Sequence, residues 1–148
     1  MWESGAILIY LAEKTGQFLS PGGSEKYETL QWVMWQMGGL GPMTGQLGFF
    51  HKFAGKDYED RRPFERYRDE VKRLLGVLEG RLVDREYIMG AEYTIADMAS
   101  WPWARTITGF YNAADEVGMN NFPNVLRWLD VCASRPASQT AVNIPPRD

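Results

Sequence analysis

"YIMGAEYTIADMASWPW", residues 87–103, decides how the chain folds. Thr94 stands three residues before Asp97, and an apolar periodic run follows. A Thr at a helix N-cap accepts a hydrogen bond from the amide of the third helical residue. A carboxylate at that third position reaches back to the cap amide. Asp97 takes the place usually held by Glu or Gln, so Thr94 and Asp97 form a candidate folding motif. Tyr93 and Met98 flank the cap as a hydrophobic staple. Pro102 lies inside the helical run and predicts a bend there.

Working outward, every other periodic segment is also helical. Ile7, Leu8 and Leu11 set the spacing of a first helix over 4–14, with Ser4 as N-cap and Gly16 as the stop. "SPGGS" at 20–24 reads as a loop and as the domain boundary. A second helix starts near Glu25 and carries Leu30, Val33, Met34 and Met37. The "GGLGPM" stretch at 38–43 predicts a kink, with helix resuming through 47–50. Residues 51–63 are polar and turn-rich. A long helix follows over 63–82, with Phe64, Tyr67, Val71, Leu74, Leu75 and Leu78 on one face. A short helix over 111–117 and a strong one over 123–134 come next, then a docked or frayed tail. No alternating apolar pattern indicates a strand, so the chain reads as all-α.

Composition narrows the function classes. The chain has 148 residues, is 45% hydrophobic and carries a net charge of -3. That suits one globular domain and offers no basic footprint for nucleic acid. A single Cys allows no internal disulfide. The start shows no basic n-region or small-residue cleavage site, and no apolar run reaches the ~18 residues of a spanning helix. The expectation is a cytoplasmic protein with no membrane contact.

Most catalytic chemistry lacks its residues. His51 is the sole His and sits in a polar stretch, where a surface role is expected. One Cys and one distant His make no metal site, so no metal ligand is assigned. Cys132 shares a stripe with Val125, Trp128 and Leu129, as a small core residue does. The Gly-rich stretch lacks the Lys and the preceding strand of a phosphate loop.

Glu3 and Ser4 are the exception. A helix N-terminus offers unpaired amides and a partial positive charge to a carboxylate, and a Ser hydroxyl adds a donor. Glu3 beside it can pair with an ammonium. Together they suit an α-amino acid head group, or they serve only as a cap and a dipole complement. Trp35, Met37, Met43 and Phe49 either line a pocket held open by the kink or belong to the core. Arg66, Arg68 and Arg73 either form a solvated face with Glu65, Asp69 and Glu70 or reach an anionic ligand.

Four segments, "ESGAILIYLAEKTG", "LQWVMWQMGGLGPMTGQ", "YIMGAEYTIADMASWPW" and "FPNVLRWLDVCASRPA", together resemble a glutathione S-transferase, and in particular the bacterial Nu-type branch of glutathione-dependent disulfide-bond oxidoreductases. The resemblance implies residues 1–19 as the last helix of a thioredoxin-like domain and 20–148 as the all-α C-terminal domain. It implies Glu3 on the glutathione ammonium, Ser4 on its carboxylate, and Arg73 as a basic residue near glutathione. It implies a substrate pocket at Trp35, Gly39, Met43 and Trp103, and a homodimer. The thioredoxin-like half would carry the group that activates the thiol, so no catalytic residue is assigned here, and the chain alone is expected to be weak or inactive. The competing expectations are a standalone helical module for apolar ligands or partners, and a structural relative of translation-factor or chaperone assemblies.

Overall fold

A computed structural model describes residues 1–144. Eight α-helices follow one another among these residues: α1 (Ser4–Thr15), α2 (Gly23–Trp35), α3 (Gly41–Lys52), α4 (Arg62–Arg81), α5 (Ile95–Gly109), α6 (Ala114–Val117), α7 (Pro123–Ser134) and α8 (Pro136–Ala141). Apart from an isolated bridge between Tyr87 and Gly90, the described residues hold no β pairing. No helix among them is long and apolar enough to cross a membrane.

The capping box expected around Thr94 is present, with the hydroxyl accepting from the second helical amide rather than only the third. The Asp97 carboxylate accepts from the Thr94 amide at 3.0 Å, and the Thr94 hydroxyl oxygen accepts from the Ala96 amide at 3.3 Å. α5 then runs unbroken past Pro102 to Gly109. It lies at the centre of the bundle, packed by α1, α2, α3 and α7. Ile95, Ala96, Ala104 and Ile107 are buried along it. α4 turns Phe64, Val71, Leu74, Leu75 and Leu78 into the same core. Burying such a side chain is worth about 1.5–3 kcal/mol, and these residues hold α4 in place.

Five local expectations need correction. The cap of α1 is Glu3, at φ 68, and Ser4 is the first helical residue; the Glu3 carbonyl already accepts from the Ile7 amide at 3.0 Å. The start of α2 at Gly23 lies within the predicted loop. The predicted kink is a π turn, Gln36–Leu40, joining α2 to α3 with no gap. Pro42 follows the π turn and offers no N–H to its carbonyls, so the irregular ladder falls where a regular one could not be completed. His51 is not in a loop: it is half-buried in the last turn of α3, with its ring stacked on Phe64 at 5.9 Å. The short helix begins only at Ala114, and the tail forms α8 with Ser138 buried; residues 145–148 of that tail lie outside the described residues.

Candidate functional site

The π turn connects two parts of the candidate site. A π turn fits one extra residue into a helix and recurs at functional positions. Here it aims Met37 at the first turn of α1. The Ser4 hydroxyl donates to the Met37 thioether at 3.8 Å. A Cβ on Gly5 would meet the Met37 Cγ at 3.1 Å and its Sδ at 3.2 Å, so a glycine allows α1 to sit directly on Met37. Glu3 and Ser4 are both exposed at this end. The first amides of α1 have no intrahelical acceptor, which leaves them to an external one.

Arg73 lies on a different surface. With Met43, Arg66, Tyr67, Asp69 and Glu70 it lines a cleft of about 670 Å³ between α3 and α4. The Arg73 guanidinium donates to both Glu70 oxygens, at 2.8 and 2.9 Å. That contact holds the Glu70 carboxyl below its ordinary value. Arg68 does the same to Asp69, through a bond of 2.9 Å. Tyr67 is fixed by stacking on Phe50 at 5.6 Å. The cleft thus sets two arginines against two carboxylates, beside a flat aromatic surface and a thioether.

The remaining pocket residues have separate neighbours. Trp35 meets Trp32 edge-on at 5.1 Å. Gly39 faces Leu74 of α4, and a Cβ there would stand 3.5 Å from its side chain. Trp103 lies against Gly41 and Gly45 of α3, with its indole N–H beside Gly41 and the Gln36 amide. Met43 and Arg73 therefore share one cleft, Ser4 shares the π turn with Met37, and Trp103 closes the α3–α5 contact. Cys132 is fully buried, and burial pushes its thiol well above the ordinary range, which suits a core residue rather than a nucleophile.

Sequence reasoning missed one of these contributors and placed two others only in part. Tyr67 reads as part of an ordinary helix face. Met37 reads as a pocket or core residue, without its contact to Ser4, and Arg66 as one of three arginines that form a solvated face or reach an anionic ligand. The only signal was the double glycine 38–39 inside a helical pattern, which marked an irregular turn without saying which side chains it would redirect.

The profile of the glutathione S-transferase C-terminal domain matches residues 42–136. The disulfide-bond oxidoreductase YfcG of Escherichia coli is 43% identical over 96% of this chain and 63% of its own length. YghU of the same organism is 39% identical over 93% of this chain and 48% of its own length. A glutathione transferase from Burkholderia graminis, solved with two glutathione molecules per subunit, superposes with a TM-score of 0.96 at 57% identity, covering all of this chain and 62% of that one. A Pseudomonas putida glutathione transferase, solved with one glutathione disulfide per subunit, gives 0.95 at 55% identity over 98% of this chain and 63% of that one. The chain thus spans between about half and two thirds of the length of these relatives. Its helical bundle, its capped central helix and the match over 42–136 identify it as a member of the glutathione S-transferase family, of which it carries the all-α C-terminal domain.

Proposed function

We propose that this chain supplies part of the glutathione site and the second-substrate surface of a glutathione transferase or glutathione-dependent disulfide reductase. Residues 1–19 belong with a thioredoxin-like domain in this reading, and 20–148 form the helical domain. Glu3 meets the γ-glutamyl ammonium, while Ser4 and the first amides of α1 meet the carboxylate. Arg73, with Met43, faces glutathione or the second substrate across the α3–α4 cleft. Trp35, Gly39 and Trp103 shape the helices behind that surface. The protein works as a homodimer in the cytoplasm.

The observation that carries this reading is the state of Ser4. Its hydroxyl is exposed and, among the described residues, engaged only by a thioether, a weak acceptor that a carboxylate would displace. The relatives solved with glutathione or its disulfide support the ligand. In the reaction of such an enzyme, a glutathione thiolate attacks a disulfide sulfur or an electrophilic carbon and expels a leaving thiolate or other group. The residues of this chain bind and orient, and none of them is assigned to activating the thiol.

Calorimetric titration of the chain with glutathione and glutathione disulfide tests the proposal. Saturable binding that Ser4→Ala abolishes supports it. Binding that Ser4→Ala leaves unchanged, or none at millimolar ligand, overturns the binding role given to α1.

A further inference from the structure

The sulfur beneath Ser4 carries chemistry that ligand binding does not use. Met37 is half-buried, and Ser4 above it is exposed. The Ser4 hydroxyl donates to the Met37 thioether at 3.8 Å. Elsewhere, Met119 is buried, Met1 and Met34 stand on the surface, and the Met89 thioether accepts from Arg81 at 3.7 Å. Among the described contacts, Met37 is the methionine that meets the first turn of α1. One side of its sulfur is walled: a Cβ on Gly5 would stand 3.2 Å from the Met37 Sδ and 3.5 Å from the Val33 side chain. Gly5 and Val33 are buried, so the side toward Ser4 is the one that reaches solvent.

A thioether is a nucleophile toward the O–O bond of a hydroperoxide. The Met37 sulfur attacks the terminal peroxide oxygen, an S–O bond forms and the O–O bond breaks. Sulfur is oxidised to the sulfoxide, and the peroxide is reduced to water or an alcohol. The proton of the transferred oxygen passes to the departing one. The product is polar and chiral, and its oxygen is a far stronger acceptor than a thioether sulfur. With Gly5 against the sulfur, the new oxygen forms on the Ser4 side. There it accepts from the Ser4 hydroxyl and faces the first amides of α1, whose partial positive charge favours it.

We propose that Met37 is a site of reversible oxidation by hydroperoxides, and that its sulfoxide closes the α1 end to an incoming carboxylate. The sulfoxide oxygen takes the Ser4 hydroxyl and the amides that a ligand carboxylate would otherwise use. The effect on glutathione rests on the role given to Ser4 under the proposed function; the modification and its contact with α1 do not. Because one side of the sulfur is covered, one sulfoxide epimer forms in excess. The methionine sulfoxide reductase class specific for that epimer restores the thioether and reopens the site.

The test titrates hydrogen peroxide onto the chain and follows each methionine by peptide mass spectrometry. Met37 gains one oxygen after the exposed Met1 and Met34 and ahead of the buried Met119. Amide exchange measured by nuclear magnetic resonance then reads the new contact without glutathione. The Gly5 and Ala6 amides exchange severalfold more slowly in the oxidised chain; Met37→Leu, which conserves volume, abolishes that change, and Met34→Leu does not. Calorimetry before and after oxidation shows glutathione affinity falling about tenfold or more in the parent, the worth of a charge-assisted hydrogen bond, whereas peroxide does not alter it in Met37→Leu. An absence of binding before oxidation counts against the glutathione reading alone, and the exchange measurement then decides this proposal. Met37 still reduced when Met34 is fully converted, amides of α1 that exchange equally in both forms, or a glutathione affinity unmoved by oxidation of Met37 overturns it.

Discussion

The indole N–H of Trp128 donates to the Asp97 carboxylate at 2.9 Å, joining α7 to the first turn of α5. The same oxygen, Oδ1, accepts from the Ile88 amide at 2.9 Å, while Oδ2 serves the Thr94 amide. Asp97 and Trp128 are both fully buried. One carboxylate thus closes a cap, anchors the loop before it and seats the largest side chain of the core.

Replacing Asp97 with Ala removes all of these acceptors together. The cap alone is worth about 0.5–2 kcal/mol, and each buried donor left unpaired adds about 1–3. We expect a loss of roughly 3 kcal/mol or more, a fall in melting temperature near 10 °C for a chain of this size. Circular dichroism through thermal unfolding measures it. An unchanged melting temperature would remove the motif from the account of folding.

Asp97 also predicts a pH dependence. Burial raises its carboxyl above the ordinary value, against the hydrogen bonds from Ile88, Thr94 and Trp128. The folded state then holds that proton more tightly than the unfolded chain. Its contribution is fully present below the ordinary carboxylate range and is lost as pH rises through the folded value. Asp60 runs the other way: Arg62 holds it down at about 2, but the pair is exposed and its effect on stability is small. Asp97→Asn lacks the titration, so its deficit against the parent is larger near about pH 4 than near about pH 7. A deficit that grows with pH would show that the hydrogen bonds, not burial, dominate.

The fold was legible where short-range chemistry determines it. Thr94 and Asp97 are three residues apart, and the apolar stripe of α4 repeats at helical spacing, so both could be read directly. The bond from Trp128 to Asp97 spans 31 residues and leaves no local trace. The π turn was visible only as a surplus of glycine, because its form depends on how α2 and α3 pack on α5. The Glu3–Ser4 pair could be singled out from its place before a helix, yet the Met37 contact beneath it could not.

Glu79 caps a helix in another part of the chain. Its Oε2 accepts from the Val125 amide at 2.9 Å, and its Oε1 accepts from the Asn124 amide at 3.1 Å and from the Asn124 side chain at 2.7 Å. Pro123 opens α7, and the described contacts include no side-chain cap from Phe122, so Glu79 from α4 supplies the acceptors and a charge favourable to the dipole. Glu79→Ala is expected to cost about 1–2 kcal/mol, and Glu79→Gln about half of that, since one oxygen remains. Urea unfolding reads both. Equal effects from the two substitutions would mean that packing, not capping, accounts for the loss.

Two glycines one helical turn apart on α3 should respond with opposite signs. Ala carries a helix interior at about 0.8–1.0 kcal/mol less cost than Gly, so either substitution gains that much if there is room. At Gly45 there is room: a Cβ would touch the Trp103 ring at 3.7 and 4.0 Å, an ordinary contact. At Gly48 the same atom would fall within the Tyr111 ring, which lies flush against the backbone. Tyr111 is itself buried and packed by Phe53 and Phe110, so it has little space to retreat. Overpacking of this kind costs about 1–3 kcal/mol after the helix gain is lost in it. Gly45→Ala should raise the urea midpoint, and Gly48→Ala should lower it. Gly48→Ala should also change near-ultraviolet circular dichroism as Tyr111 moves. If both variants shift stability the same way, the close approach of Tyr111 to α3 is not what selects glycine at position 48.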